Sequence, residues 1–74
     1  MDWGKIVGDN IRRIRTSQGL TQDELAEAAE VAVRFLGDVE RGQANPSLAV
    51  LGRIAAVLQV KLRDFVDEGR TDGG

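Results

Sequence analysis

The chain has 74 residues and a formal net charge of −2 at pH 7, and its length fits a single small domain. It contains neither Cys nor His, which excludes disulfides and thiolate metal sites and removes the commonest metal ligand and general base. Only three residues are aromatic, so the core must be aliphatic, and no apolar run approaches the ~18 residues of a membrane span.

The first predicted helix spans residues 3–18. Its apolar side chains recur at helical spacing, at Val7, Ile11 and Ile14. Asp2 is a suitable N-cap, and Gly19 follows as the left-handed residue that ends the helix. The segment therefore reads as an amphipathic helix with a start signal and a stop signal.

Two short helices joined by a tight turn are predicted next. The sequence Thr21-Gln22-Asp23-Glu24 is a capping box, which starts a helix over residues 22–29. Residues 30–32 form the turn, and the third helix occupies residues 33–40. Because only about three residues separate these helices, they must cross steeply, in the helix-turn-helix geometry that places a helix in the major groove of DNA.

The remainder of the chain predicts two more helices and a tail. Residues 42–46 contain Gly and Pro and form a loop, after which Ser47 caps the fourth helix. The apolar stripe of that helix consists of Leu48, Leu51, Ile54, Ala55 and Leu58. A short fifth helix spans about residues 62–67, and residues 69–74 are polar, rich in glycine and expected to be disordered.

Three segments at their observed spacings resemble the phage-repressor-like (Xre) helix-turn-helix family. They are Gly19-Leu20-Thr21-Gln22-Asp23-Glu24-Leu25-Ala26, Val39-Glu40-Arg41-Gly42 and Asn45-Pro46-Ser47-Leu48. The resemblance implies an all-α fold, a compact five-helix bundle of the lambda-repressor-like type, with the third helix in the major groove. Residues 1–68 would form the DNA-binding domain, with the helix-turn-helix at about residues 21–41.

The resemblance also gives candidate DNA contacts. The matching Gln of the family contacts a phosphate and supports the third helix, although Gln22 has the alternative of being a plain exposed residue at a helix start. In the third helix, Leu36 and Val39 are predicted to point inward, and the candidate DNA contacts on that helix are predicted to point outward. The full set is Arg12, Thr21, Gln22, Ala32, Val33, Arg34, Phe35, Gly37, Asp38, Arg41, Gln43 and Asn45.

Several of these candidate residues could have either of two roles. Arg34 can pair with guanine N7 and O6, or it can form a surface salt bridge, and Arg12 is either a phosphate contact or a solvated charge. Phe35 either touches a thymine methyl group or is partly buried. Asp38 can accept from cytosine N4, although an orienting role toward Arg34 or Arg41 is the preferred reading.

The family pattern also implies structural roles. Arg15 and Glu40 occupy positions at which the family often holds an internal ion pair. Glu30 stands where the family commonly has a left-handed Gly, which would cost roughly 1 kcal/mol of strain. Ala32 stands where a Ser or Thr usually caps the third helix, and a lost cap costs ~1 kcal/mol.

The predicted function is a homodimeric, sequence-specific regulator that binds a pseudo-palindromic operator, as in phage repressors, restriction–modification controllers or antitoxins. The dimer surface is expected at Val57, Leu62 and Val66, unless these side chains only close the core. The alternative is a protein-interaction or adaptor module, for example with a toxin partner. We expect no enzyme activity, cofactor, metal or membrane contact, and a cytoplasmic location.

Overall fold

A computed structural model describes residues 2–68 of the chain, and this part folds into five helices. They are α1 (Trp3–Ser17), α2 (Gln22–Ala29), α3 (Val33–Glu40), α4 (Leu48–Leu58) and α5 (Leu62–Phe65). The predicted all-α, five-helix fold is confirmed. The predicted tail at residues 69–74 lies outside the described residues. Within those residues, no helix combines the length and apolar character needed to cross a membrane.

The helix starts follow the local sequence signals. The Asp2 side chain accepts a hydrogen bond from the backbone N–H of Lys5, and the Ser47 hydroxyl accepts one from Val50. Thr21 and Glu24 form the predicted capping box, in which each side chain accepts from the other residue's N–H, at 3.0 and 2.8 Å. The fifth helix is shorter than predicted, because it ends at Phe65 rather than at residue 67.

Four helices end in a left-handed residue. Gly19 and Gly42 have φ angles of 76° and 75°, and Glu30 and Gln59 have 62° and 61°. Each residue begins a Schellman motif, in which the following N–H donates back to a carbonyl five residues earlier. The left-handed conformation expected at Glu30 is therefore present, and both non-glycine stops carry roughly 1 kcal/mol of strain.

One aliphatic core holds the helices together. It consists of Ile11, Ile14, Leu25, Ala26, Ala29, Leu36, Val39, Ile54, Ala55, Leu58 and Phe65. Helix α1 packs against α3 and α5, and α2 packs against α3 and α4. Of the two helices of the helix-turn-helix, α3 is thus supported by α1 and α2 is supported by α4, which fixes the direction in which α3 presents its outer face.

A glycine lets α1 approach α3 at backbone distance. A Cβ atom at Gly8 would lie 2.2 Å from the carbonyl oxygen of Val39 and 2.8 Å from that of Glu40. No side chain fits at such distances, so the backbones would have to separate. Gly8 therefore sets how closely the C-terminal end of α3 lies against α1.

We predict that Gly8→Ala lowers the free energy of unfolding by about 1–3 kcal/mol, because the new methyl group meets rigid backbone. Gly52→Ala is the matched control, since it also lies inside a helix but has no atom within 4 Å of the new Cβ. Helix propensity should make that variant about 0.5–1 kcal/mol more stable. Urea unfolding measures both, and an unaltered midpoint for Gly8→Ala would contradict the close crossing.

Candidate nucleic-acid interface

A buried ion pair connects α1 to the C-terminal end of α3. The Nε and Nη2 atoms of Arg15 donate to Oε2 and Oε1 of Glu40 at 2.7 and 3.0 Å, and both residues are buried. The third donor, Nη1, reaches the carbonyl oxygen of Leu20 at 2.8 Å. The structure thus brings the predicted pair together in two-pronged geometry, which is the strong form of an arginine–carboxylate contact.

Gln22 joins this pair from the first turn of α2. Its Nε2 atom donates to Oε1 of Glu40 at 2.9 Å, and its side chain is partly buried. Glu40 therefore receives hydrogen bonds from α1 and from α2 while it belongs to α3. This arrangement gives Gln22 the supporting role that the family resemblance implied, and the amide oxygen of Gln22 lies close to Gly37.

The outer face of α3 begins with a mixed apolar and basic surface. Ala32, Val33 and Arg34 are exposed, and Val33 leaves 43% of its surface open to solvent. Leu36 and Val39 are buried, as predicted. Phe35 is half-buried and packs against the core, which agrees with the alternative that this residue is partly buried. A major groove would meet the exposed N-terminal turn first.

Gly37 does not lie where the sequence placed it. It was predicted among the outward residues, but it is buried, and this prediction was wrong. The side chains of Arg41 and Gln22 cover it, because both have atoms within 4 Å of the position a Cβ would take. Gly37 is therefore not itself an exposed contact.

A polar groove of about 550 Å³ runs beside α3. Its lining consists of Lys5, Asp9, Arg12, Gln22, Glu40, Arg41 and Gln43. Four of these residues are predicted DNA contacts that come from α1, α2 and the segment after α3. The tertiary structure thus gathers them on one surface. Asn45 is also exposed, on the loop before α4.

The basic side chains differ in whether they have partners. Within residues 2–68, the side chains of Arg12 and Arg34 form no hydrogen bond or ion pair, and both residues are exposed. Arg41 pairs with Asp38, and Lys5 pairs with Asp9 at 3.1 Å. Arg12 and Arg34 therefore offer unpaired guanidinium groups, which suit phosphate and guanine.

Sequence reasoning missed three polar side chains that hold the domain together, one of which is Gln18, whose Nε2 atom donates to the carbonyl oxygen of Leu58 at 2.8 Å. Asn10 is buried in α1 and donates from Nδ2 to the carbonyl oxygens of Phe65 and Asp67, at 2.9 and 2.7 Å. A polar residue on the apolar face of α1 was the signal for it. Arg53 donates to the carbonyl oxygen of Ala29 at 2.9 Å and so ties α4 to the end of α2, with no comparable signal in the sequence.

The predicted dimer surface is partly exposed. Leu62 and Val66 leave 38% and 45% of their surfaces open, and they lie at either end of α5. Val57 is half-buried and packs against the core. Leu62 and Val66 are therefore available to a second molecule, and Val57 is largely used within the chain.

A helix-turn-helix family model matches residues 11–65. The chain belongs to this family. An uncharacterized HTH-type transcriptional regulator, y4dJ, of Sinorhizobium fredii is 38% identical over 66 residues, which cover 89% of this chain and 86% of the relative. SinR of Bacillus subtilis, also an HTH-type transcriptional regulator, is 39% identical over 64 residues, and the match covers 85% of this chain but only 58% of SinR.

Solved structures agree with this assignment. The restriction–modification controller C.AhdI of Aeromonas hydrophila superposes with a TM-score of 0.81 at 34% identity, over 84% of this chain and 94% of the controller. SinR in complex with DNA gives a TM-score of 0.78 at 39% identity, over 82% and 98%. SinR in complex with SinI gives 0.80 at 37% identity, over 86% and 63%. The predicted family and fold are confirmed, and these relatives are regulators, as predicted.

We predict that Arg15→Met lowers the free energy of unfolding by about 3–5 kcal/mol, because it leaves the Glu40 carboxylate buried without its cation. Adding Glu40→Met should recover part of this loss, since no buried charge then remains. The exposed pair of Lys5 and Asp9 supplies the control: Lys5→Met should cost less than ~1 kcal/mol. Chemical denaturation measures all three, and equal effects of Arg15→Met and Lys5→Met would refute the role of burial.

Proposed function

We propose that this protein is a transcriptional regulator that binds operator DNA as a homodimer, with α3 in the major groove. The observation that carries the proposal is that α3 has an exposed start, with Val33 and Arg34, and a polar groove at its C-terminal end, where the lining includes Arg12, Gln22, Arg41 and Gln43. The exposed start of α3 can contact base edges, and the groove can hold the phosphate backbone. A cytoplasmic location follows from this role.

The negative net charge is compatible with DNA binding because the charges are unevenly placed. The acidic residues of α2, Asp23, Glu24 and Glu27, are exposed and are not among the residues that line the groove, although Gln22 of the same helix is. The groove lining has three basic and two acidic residues. Local charge, rather than the total, sets the potential that a phosphate meets.

A homodimer is proposed because one short recognition helix reads only a few base pairs. Two copies related by a two-fold axis would bind half-sites about 10 bp apart, on a pseudo-palindromic operator. The exposed side chains of Leu62 and Val66 support a contact between the α5 helices. Such a surface is apolar at its centre, as interface cores are.

A protein partner is the second candidate, and the SinR–SinI complex favours it. This relative has both a DNA complex and a protein complex, so the two roles are compatible within one protein. A partner that binds through α5 would compete with the homodimer. A toxin as that partner stays a prediction from the sequence.

We predict that Arg34→Ala lowers operator affinity about 5- to 150-fold, the loss of a guanidinium contact to a base. Arg63→Ala is the control, since Arg63 is an exposed arginine on α5. An operator would be selected from random duplexes, and affinity measured by fluorescence anisotropy at two salt concentrations. Wild-type binding that is weak and equal on all duplexes would overturn the proposal, as would equal effects of the two substitutions.

We predict that Val66→Asp weakens the homodimer at least about tenfold, because a carboxylate would be desolvated at the apolar contact. Leu48→Asp is the control, since Leu48 is the most exposed of the large apolar side chains described and lies on α4. Sedimentation equilibrium measures both. An intact dimer for Val66→Asp together with a monomer for Leu48→Asp would move the interface from α5 to the start of α4.

A further inference from the structure

Arg41 follows α3 directly, and its guanidinium group folds back over the helix. A Cβ atom at Gly37 would lie 3.3 and 3.7 Å from the Nη1 and Nη2 atoms of Arg41. The guanidinium thus occupies the space in which any larger residue at position 37 would begin its side chain. This explains why Gly37 is buried although Val33 and Arg34, one turn earlier in α3, are exposed.

Two neighbours define the place of this guanidinium. Asp38 accepts a hydrogen bond from Nη2 of Arg41 through Oδ1, and the two residues are three positions apart. The Oε1 atom of Gln22 lies 3.8 Å from the same Cβ position at Gly37, on the side of the amide opposite to the hydrogen bond with Glu40. Arg41 is therefore held at the border between α3 and the polar groove.

The contact between Arg41 and Asp38 contributes little to the stability of the fold. The side chains of Arg41 and Asp38 are 58% and 39% exposed, and exposed ion pairs contribute little to the free energy of folding. Its effect is to limit the positions that a long, flexible side chain can take. The remaining N–H donors of Arg41 stay available to a phosphate or a base edge.

We propose that Gly37 and Asp38 are positioning residues that preset Arg41 as a DNA contact at the C-terminal border of α3. This inference rests on the proposed function and assigns a role within the same site. Holding the guanidinium in place before binding removes an entropy loss that a free arginine would suffer on the DNA. It also accounts for an acidic residue on this face of α3, because Asp38 acts through Arg41.

Gly37→Ala tests the proposal without endangering the fold. The new methyl group meets only the far end of a flexible side chain, and alanine is the better helix former. The melting temperature should stay the same or rise by up to roughly 5 °C. Operator affinity should fall about tenfold, the loss of one charge-assisted hydrogen bond.

Gly52→Ala is the matched control, because it makes the same change inside α4 with no atom within 4 Å of the new Cβ. It should raise the melting temperature and leave operator affinity unchanged. Gly37→Ala with wild-type affinity would overturn the positioning role. Wild-type protein that fails to prefer any operator would overturn the proposed function instead, so the two failures are distinguishable.

Asp38→Asn, measured with and without Arg41→Ala, tests the second positioning residue. If Asp38 acts through Arg41, Asp38→Asn lowers operator affinity in the wild-type background and has no effect or a favourable one when Arg41 is already alanine. Improved affinity in both backgrounds would show that Asp38 only repels phosphates. A loss in both backgrounds, confined to operators with one particular C·G pair, would show that it reads cytosine N4. Either of these results overturns the proposal.

Discussion

The carboxylate of Glu40 is the point on which the arrangement of the first three helices depends. It accepts two hydrogen bonds from Arg15 of α1 and one from Gln22 of α2, and it is itself the last residue of α3. Burying an ion pair costs free energy in desolvation, and the attraction between the charges offsets this cost only when the geometry is specific. Its contribution here is orientation, because any other angle between these helices would leave charges buried without partners.

Close backbone packing supports the same orientation. Gly8 allows α1 to lie against the end of α3, and Gly42 places its backbone within reach of Lys5, since a Cβ there would lie 3.0 Å from the Lys5 Cα atom. Side chains could adapt to a small rotation of α3, whereas contacts between backbones cannot. Helix α3 is therefore fixed at its C-terminal end, whereas Val33 and Arg34 at its N-terminal end are exposed to solvent.

This asymmetry relates the core to the proposed interface. Hydrogen bonds join Arg15 to Glu40 and Glu40 to Gln22, and this chain of contacts extends from the interior to the groove. There the Gln22 amide and the Arg41 guanidinium both lie beside Gly37. The unpaired guanidinium groups of Arg12 and Arg34 lie on α1 and α3, which this network joins. Groups that would contact DNA are thus held by a preformed scaffold, so that little ordering is needed upon binding.

The sequence by itself determined the five helices, their caps and the tight turn, because these depend on signals within a few residues, such as the Thr21 capping box and Gly19. It also paired Arg15 with Glu40, through the resemblance of three short segments to a known family. The length of α5, the burial of Gly37 and the hydrogen-bond partners of Asn10 were decided only by the tertiary structure. The pattern of α3 alone predicted Gly37 to face outward, but Arg41 and Gln22 cover it, and no periodicity within one helix reveals which side chains of other elements will fold over it.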